Sequence, residues 1–443
     1  MITAPGSPLA FEDAARLHMS TADNPMLITA LLALDRSIGH EALEARLGAR
    51  LARHPRFRQR VVEPRLRMPR WVEDPTFDVR HHVHRIDASL VPGSASLEDL
   101  TGDLASIPLA GHHPLWRAHL IDGPEPALVM IVHHALADGA ALLALLAELV
   151  DEGAAERSRP GETTSATATL RSRAWQIAAG ALAASRLALQ RPDPEAPLRR
   201  RQLGDHKRLA FSDLLSLDEL RTTAHALDTT LTGVLLTAVA GACRAELDES
   251  ERAEDLVLHA LVPVIVSQRG SSDVLGNHYG SVLVPLPVGA VDLASRIRGG
   301  RDAARTLRTH GAGVAAARLA AAAGAISPFI ERIGVELFSR RASVTVSSVR
   351  GPAQSVHLCG AAVRDIMVWA PASGSIPLSV TLMSYDGRAR IGVAADAHAL
   401  GEGARLSSRP DVERCLERGP LLVRRPRACG RHEHERTHVR RSS

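Results

Sequence analysis

The chain has 443 residues, 45% hydrophobic and 23% charged, with a formal net charge of +4. That composition fits a globular protein long enough for two domains and excludes collagen-like, disordered and disulfide-framed classes. The basic excess is local, since Arg409 to Ser443 carries 10 arginines against 5 acidic residues, so the remainder lacks the footprint of a nucleic-acid binder.

In chain order, residues 25–36 (PMLITALLALDR) read as a buried strand and Leu43–Arg53 as a helix. His54–Val62 leads into an extended segment. Ala127–Val132 is an uninterrupted apolar run, the pattern of a strand covered on both faces, and Gly139–Val150 reads as the helix after it. Glu156–Thr169 is polar and reads as a linker. Leu170–Gln190 is alanine-rich and helical, and Pro192, Pro194 and Pro197 close the join. That helix reads equally as a packed interdomain element or as an interfacial one, with Trp175 in lipid and Arg171, Arg173 and Arg186 at headgroups. In the second half Leu231–Leu247 is helical, and Leu256–Val266 and Gly280–Val288 are strands. Ala303–Arg340 is largely helical. Val344–Ser348, Ala362–Trp369, Ile376–Ser384 and Arg388–Ala395 are further strands. Both halves mix the two element types, so the expected class is mixed α/β. The expected divisions are 1–155, a linker and helix over 156–208, 209–405, and a basic, disordered tail over 406–443.

The four cysteines, Cys243, Cys359, Cys415 and Cys429, show no C-x-x-C spacing, which points to a reducing cytoplasm. The N-terminus lacks the basic start and apolar run of a signal peptide. No stretch has the ~20 apolar residues needed to cross a bilayer. His434-Glu435-Arg436-Thr437-His438 matches a zinc-protease pattern. That pattern needs a buried helix and further ligands, and here it lies in a polar tail, so no metal site is expected.

The segment that carries chemistry is Ala127–Gly139, ALVMIVHHALADG. An apolar strand delivers His133 and His134, Asp138 and Gly139 follow, and an apolar helix begins at once. A strand end fixes the direction of an imidazole, the side chain best suited to move protons near neutral pH. Asp138 is placed to cap the helix or to pair with a distant arginine, and Gly139 to let the backbone pass closely. The pairs His81-His82 and His112-His113 lack this context. The plain alternative is a histidine pair that merely ends a buried strand.

His-His-x-x-x-Asp-Gly resembles the signature of the coenzyme A-dependent acyltransferase superfamily. The surrounding segments HPRFRQRVVEP (54–64), WVEDPTFDVRHHV (71–83), HPLWRAHLIDG (113–123), HALVPVIV (259–266), LGNHYGSVLVPLPVG (275–289) and VSSVRGP (346–352) are collinear with the bacterial wax ester synthase/diacylglycerol acyltransferase family over about 1–405. The resemblance implies two chloramphenicol acetyltransferase-like domains with the active-site channel between them. It implies acyl transfer from acyl-CoA, a co-substrate with no further cofactor, to diacylglycerol or a long-chain fatty alcohol. It also implies a protein bound peripherally to the inner membrane face or to lipid inclusions. His134 would be the general base, with His133 and Asp138 positioning it beside Gly139. Pro114, Leu115 and Trp116 match the family's PLW motif, read as a packed turn beside the site; Asn277, Gly351 and Pro352 fall in matching segments. Two positions depart from the family. Thr232-Gly233 stands where an Asn-Asp pair is usual, and Ser348 begins a motif that usually starts with asparagine. Thr232 and Ser348 keep hydroxyl donors there. These departures motivate two alternatives: a non-catalytic acyl-CoA- or lipid-binding relative, and an acyltransferase for a non-lipid acceptor.

Overall fold

The computed structural model describes residues 6–64, 68–90, 96–151, 192–194, 198, 202–247, 249–265, 275–277, 279–309 and 339–400. The linker from 156, the helix expected over Leu170–Gln190, most of the helix expected over Ala303–Arg340, and the tail from 406 lie outside these residues.

Two sheets organise the rest. The first is built on the apolar runs Leu27–Leu34 and Ala127–His133, which pair antiparallel from Leu27↔His133 to Ala33↔Ala127. Neither run carries a charged side chain, so both sit in the middle of the sheet with both faces covered. Its order is His357–Leu358, Ala361–Trp369, Leu27–Leu34, Ala127–His133, Trp116–Asp122, Val83–Asp87. The second sheet runs Tyr279–Leu286, Leu258–Ile265, Val344–Arg350, Leu378–Tyr385, Arg388–Asp396, Lys207–Phe211, with Leu215–Ser216 added against Arg388–Asp396. Its three central strands are parallel. The small strands Ser7–Pro8, Arg70–Glu73 and Gln59–Val62 form a third sheet.

Side-chain alternation gives each sheet two faces. Val344, Val346, Val380 and Leu382 of the second sheet pack in one apolar core with the helices Leu217–Ala226 and Leu231–Ala245. Its other face sends Phe211, Ala394, Met383 and Tyr385 into the core of the first sheet. The joint is tight. A Cβ at Gly392 would lie 2.9 Å from Trp369 Nε1, and that indole donates to Ala210 O at 3.1 Å.

One excursion crosses the division expected between 1–155 and 209–405. His357–Leu358 and Ala361–Trp369 belong to the first sheet, where Ala361–Trp369 pairs with Leu27–Leu34. The outer edge of Leu27–Leu34 presents backbone N–H and C=O groups that need partners, and the strand that pairs with them is encoded over 300 residues later.

Several elements carry weak sequence patterns. Trp116–Asp122 is a strand although Arg117 and His119 interrupt its apolar residues. Arg117 is absorbed because its guanidinium donates to Leu104 O at 2.7 Å, at the C-terminal end of the helix Leu97–Ser106. That helix starts from a capping box in which the Ser96 hydroxyl accepts from Asp99 N and Asp99 accepts from Ser96 N. Phe11–His18 is a further helix, and it turns Asp13 inward.

Candidate active site

The strand Ala127–His133 ends in a turn held from four directions. His133 N donates to Leu115 O at 3.0 Å, and the His133 ring accepts at Nδ1 from Ala135 N at 3.0 Å. His134 N donates to Met26 O at 2.9 Å, while Asn277 Nδ2 donates to His134 O at 2.8 Å. Met26 is a buried residue with φ of 49°, a left-handed conformation costly for a side-chain-bearing residue; here it places the carbonyl that His134 N meets. Farther along, Asp138 N donates to Gly276 O at 3.3 Å, and Ala137 bridges Gly276. The turn is thus clamped between the first sheet and segment 275–277 of the second half.

Asp138 caps the next helix: its Oδ1 accepts from Ala141 N at 2.8 Å, at the start of Gly139–Leu149. Gly139 does not mark a close backbone approach, contrary to the expectation from its sequence context. A Cβ there would meet no atom within 4 Å. The close approach falls instead at Gly276, with φ of +106° and a hypothetical Cβ 3.3 Å from Arg56 Nη1 and 3.5 Å from Asp13 Oδ1.

Asp13 is the hub behind the turn and was not visible in the sequence pattern. Its side chain is almost fully buried. Its Oδ1 accepts from Asn277 N at 3.0 Å and Asn277 Nδ2 at 2.9 Å, and its Oδ2 pairs with Arg56 at 2.9 Å. Burial raises the Asp13 pKa, opposed by the Arg56 charge and the Asn277 hydrogen bonds. The amide of Asn277 therefore joins a buried carboxylate to the backbone of His134. The only sequence signal for Asp13 was its place on the inward side of an amphipathic octapeptide.

Both imidazoles are buried, at 5% and 7% exposure. Burial pushes His134 down to about 4; the Arg16 guanidinium adds to the shift, and Asp138 and Asn277 oppose it. Burial and the neighbouring His134 push His133 down to about 3. Both rings are therefore neutral at pH 7, the state in which an imidazole accepts a proton.

The PLW turn lies directly against the site. Pro114 and Leu115 are buried, and Leu115 O holds His133 as described. Trp116 donates through Nε1 to Phe57 O at 2.9 Å and stacks on His82 with centroids 4.6 Å apart. A mainly apolar cleft opens between the sheets, lined by Leu27, Thr29, Trp369, Ile376 and Ala394 among others. Leu27, which lines the cleft, is the cross-strand partner of His133.

The remaining expected site residues belong to the second half. Thr232 is half-buried in the first turn of Leu231–Ala245. Gly233 beside it has a packing reason: a Cβ there would lie 3.1 Å from Gly300 O on the helix Leu293–Thr309. Ser348 is exposed on the strand Val344–Arg350. Among the described residues no hydrogen bond joins Thr232 or Ser348 to the histidine turn. Gly351 N donates to Ser384 O at 2.9 Å, an approach that leaves no room for a side chain, and Pro352 O accepts from Asp386 N at 3.0 Å.

Comparison with known proteins adds to this geometry. Residues 9–184 match the family model described as wax ester synthase/diacylglycerol acyltransferase catalytic domain, and residues 275–409 match the WS/DGAT C-terminal domain. A putative diacylglycerol O-acyltransferase of Mycobacterium tuberculosis is 26% identical over 431 residues, covering 86% of this chain and 84% of the relative. A probable diacylglycerol O-acyltransferase of the same species is 27% identical over 399 residues, covering 83% and 85%. The wax ester synthase/diacylglycerol acyltransferase of Marinobacter aquaeolei superposes with a TM-score of 0.66 at 20% identity, over 94% of this chain and all of the other. A condensation domain of the CDA synthetase superposes at 0.64 with 15% identity, over 94% and 97% of the two chains. These superpositions establish a two-domain acyltransferase and condensation fold.

Proposed function

The chain is an acyltransferase of the wax ester synthase/diacylglycerol acyltransferase family, and we propose that it esterifies diacylglycerol with a fatty acyl group from acyl-CoA, using His134 as general base. The observation that carries the role of His134 is a buried imidazole, neutral at pH 7, whose backbone is tied on both sides by Met26 O and Asn277 Nδ2. The neutral ring takes the proton of the acceptor hydroxyl as its oxygen attacks the thioester carbonyl. The tetrahedral intermediate collapses with cleavage of the carbon–sulfur bond, and the imidazolium returns the proton to the departing thiolate. Each turnover gives one ester and one coenzyme A thiol and leaves His134 neutral. In this reading His133 and Asp138 position the base: His133 braces the turn through Ala135 N, and Asp138 anchors the helix that follows. No metal or cofactor takes part, because the leaving group is already activated as a thioester.

A long-chain fatty alcohol, giving wax ester, is the second acceptor in this reading. Acceptor and product both partition into lipid, so we place the reaction at the inner membrane face or on lipid inclusions. Among the described residues no single helix is long and apolar enough to cross a membrane.

The competing reading is a binding relative without turnover, favoured by the amides lost at Thr232 and Ser348. A lost oxyanion donor in an acyl-transfer site slows the reaction by about 10²–10³-fold. Release of coenzyme A from palmitoyl-CoA, with and without dioleoylglycerol, separates the two. Acceptor-dependent release is expected, and His134→Ala is expected to lower it by about 10²–10⁴-fold while the variant still unfolds cooperatively. Palmitoyl-CoA binding with no release across several acceptors would instead establish the binding relative.

A further inference from the structure

The face of the second sheet that looks toward the first carries a run of buried hydroxyls. The strands Val344–Arg350 and Leu378–Tyr385 pair in parallel, with Thr345 opposite Ser379 and Ser347 opposite Thr381. These four side chains share one face and are all buried, at 6%, 1%, 4% and 1% exposure. At one rung the hydroxyls satisfy each other, Ser347 Oγ lying 2.8 Å from Thr381 Oγ1. At the neighbouring rung they do not: among the described residues neither Thr345 Oγ1 nor Ser379 Oγ has a hydrogen-bond partner. One rung farther, the Ser343 hydroxyl donates to the buried Asp193 carboxylate at 2.7 Å. The unpartnered pair thus sits between two satisfied neighbours on the same sheet face.

A buried hydroxyl with no partner costs free energy, and folded proteins rarely keep one without a use. Two adjacent ones make a small polar site inside an apolar wall. The pair lies beside the cleft described above. Ser379 is the cross-strand partner of Ala394, which lines the cleft together with Leu27, the partner of His133.

We propose that Thr345 and Ser379 bind an ester carbonyl of the diacylglycerol acceptor, and so favour a glycerolipid over a simple long-chain alcohol. This rests on the acceptor reading given above. Two hydroxyl donors suit a neutral carbonyl oxygen, which has two lone pairs and no charge to desolvate. Diacylglycerol carries two such carbonyls apart from its reacting hydroxyl. A fatty alcohol carries none and leaves the pair unpartnered, which is how a site built for hydrogen bonds discriminates between substrates.

The test compares dioleoylglycerol with hexadecanol as acceptors of palmitoyl-CoA, using the full chain and the variants Thr345→Val, Ser379→Ala and Thr345→Ser. The ratio of kcat/KM for the two acceptors is expected to fall about tenfold in favour of hexadecanol on loss of either hydroxyl. Thr345→Ser, which keeps the hydroxyl, is expected to hold the wild-type ratio. A fall shared equally by both acceptors, or no fall, would overturn the proposal and leave the pair as packing. Dioleoylglycerol binding in detergent micelles, followed in the His134→Ala background, keeps the two readings apart. If the wild type turns over neither acceptor, weaker dioleoylglycerol binding in Thr345→Val still supports the hydroxyl pair. Unchanged binding there removes it.

Discussion

His134 is an ordinary histidine placed where water cannot stabilise its charge. Burial, more than any partner, sets its protonation, and two measurements follow from the direction of the shift. The first is the acid limb of kcat/KM, which reports the base in the free enzyme. With the ring pushed down to about 4, activity is expected to fall less than about twofold between pH 7.5 and 5.5, whereas an unshifted histidine would lose about tenfold. The second is stability. His119, His133 and His134 have folded-state values of about 3, 3 and 4, below the ordinary 6.5. Below pH 6.5 the unfolded chain therefore binds protons that the folded chain refuses. Their contribution is complete above pH 6.5 and is lost as pH falls toward those folded-state values, at up to about 1.4 kcal/mol per pH unit for each histidine. Urea unfolding at pH 7.5, 6.0 and 5.0 should show this decline, and a flat profile would contradict it. Asn277 is a further residue whose chemistry can be isolated. Asn277→Ala removes donors from Asp13 and from His134 O, and is expected to cost about 1–3 kcal/mol in urea unfolding and to lower kcat/KM as well. Full activity in Asn277→Ala would show that the base needs no support from the second half.

The strand–turn–helix unit depends on which glycine does what. Gly139 opens the helix Gly139–Leu149 with free space around its α-carbon, and Gly276 faces the turn in a conformation that L side chains rarely adopt. Gly139→Ala is therefore expected to leave the melting temperature unchanged or higher, by the ~0.5–1 kcal/mol that alanine gains over glycine in a helix. Gly276→Ala is expected to destabilise by about 1–3 kcal/mol. Thermal unfolding of the two variants side by side checks the contrast, and equal losses would refute it. The sequence made the elements with clear periodicity legible: the apolar runs at 27–34 and 127–133, and the helix 139–149, emerged within a few residues of their bounds. Trp116–Asp122 did not emerge as a strand, because Arg117 and His119 break its pattern until the helix Leu97–Ser106 supplies carbonyl partners for Arg117. Periodicity detects a face buried by apolar contact, not a polar side chain buried by a distant acceptor.

At the scale of the whole molecule, the two halves share a sheet. His357–Leu358 and Ala361–Trp369 complete the first sheet, and the 275–277 segment closes the histidine turn. The fragment 1–155, expressed alone, leaves the backbone edge of the apolar strand Leu27–Leu34 unpaired, and is expected to aggregate or unfold without cooperativity. A monomeric fragment with a sharp thermal transition would contradict that. By itself the sequence determined the mixed α/β class, the strand that delivers His133 and His134, the helix start at Asp138, and the family, because each is written in contiguous residues. The tertiary structure alone decided that Asp13, Arg56 and Asn277 meet behind His134, that Gly276 and not Gly139 takes the close approach, and that Thr345 and Ser379 face the space between the sheets. Those contacts join segments up to 264 residues apart, and nothing in local pattern or composition specifies which distant groups will share a buried charge or a hydrogen bond.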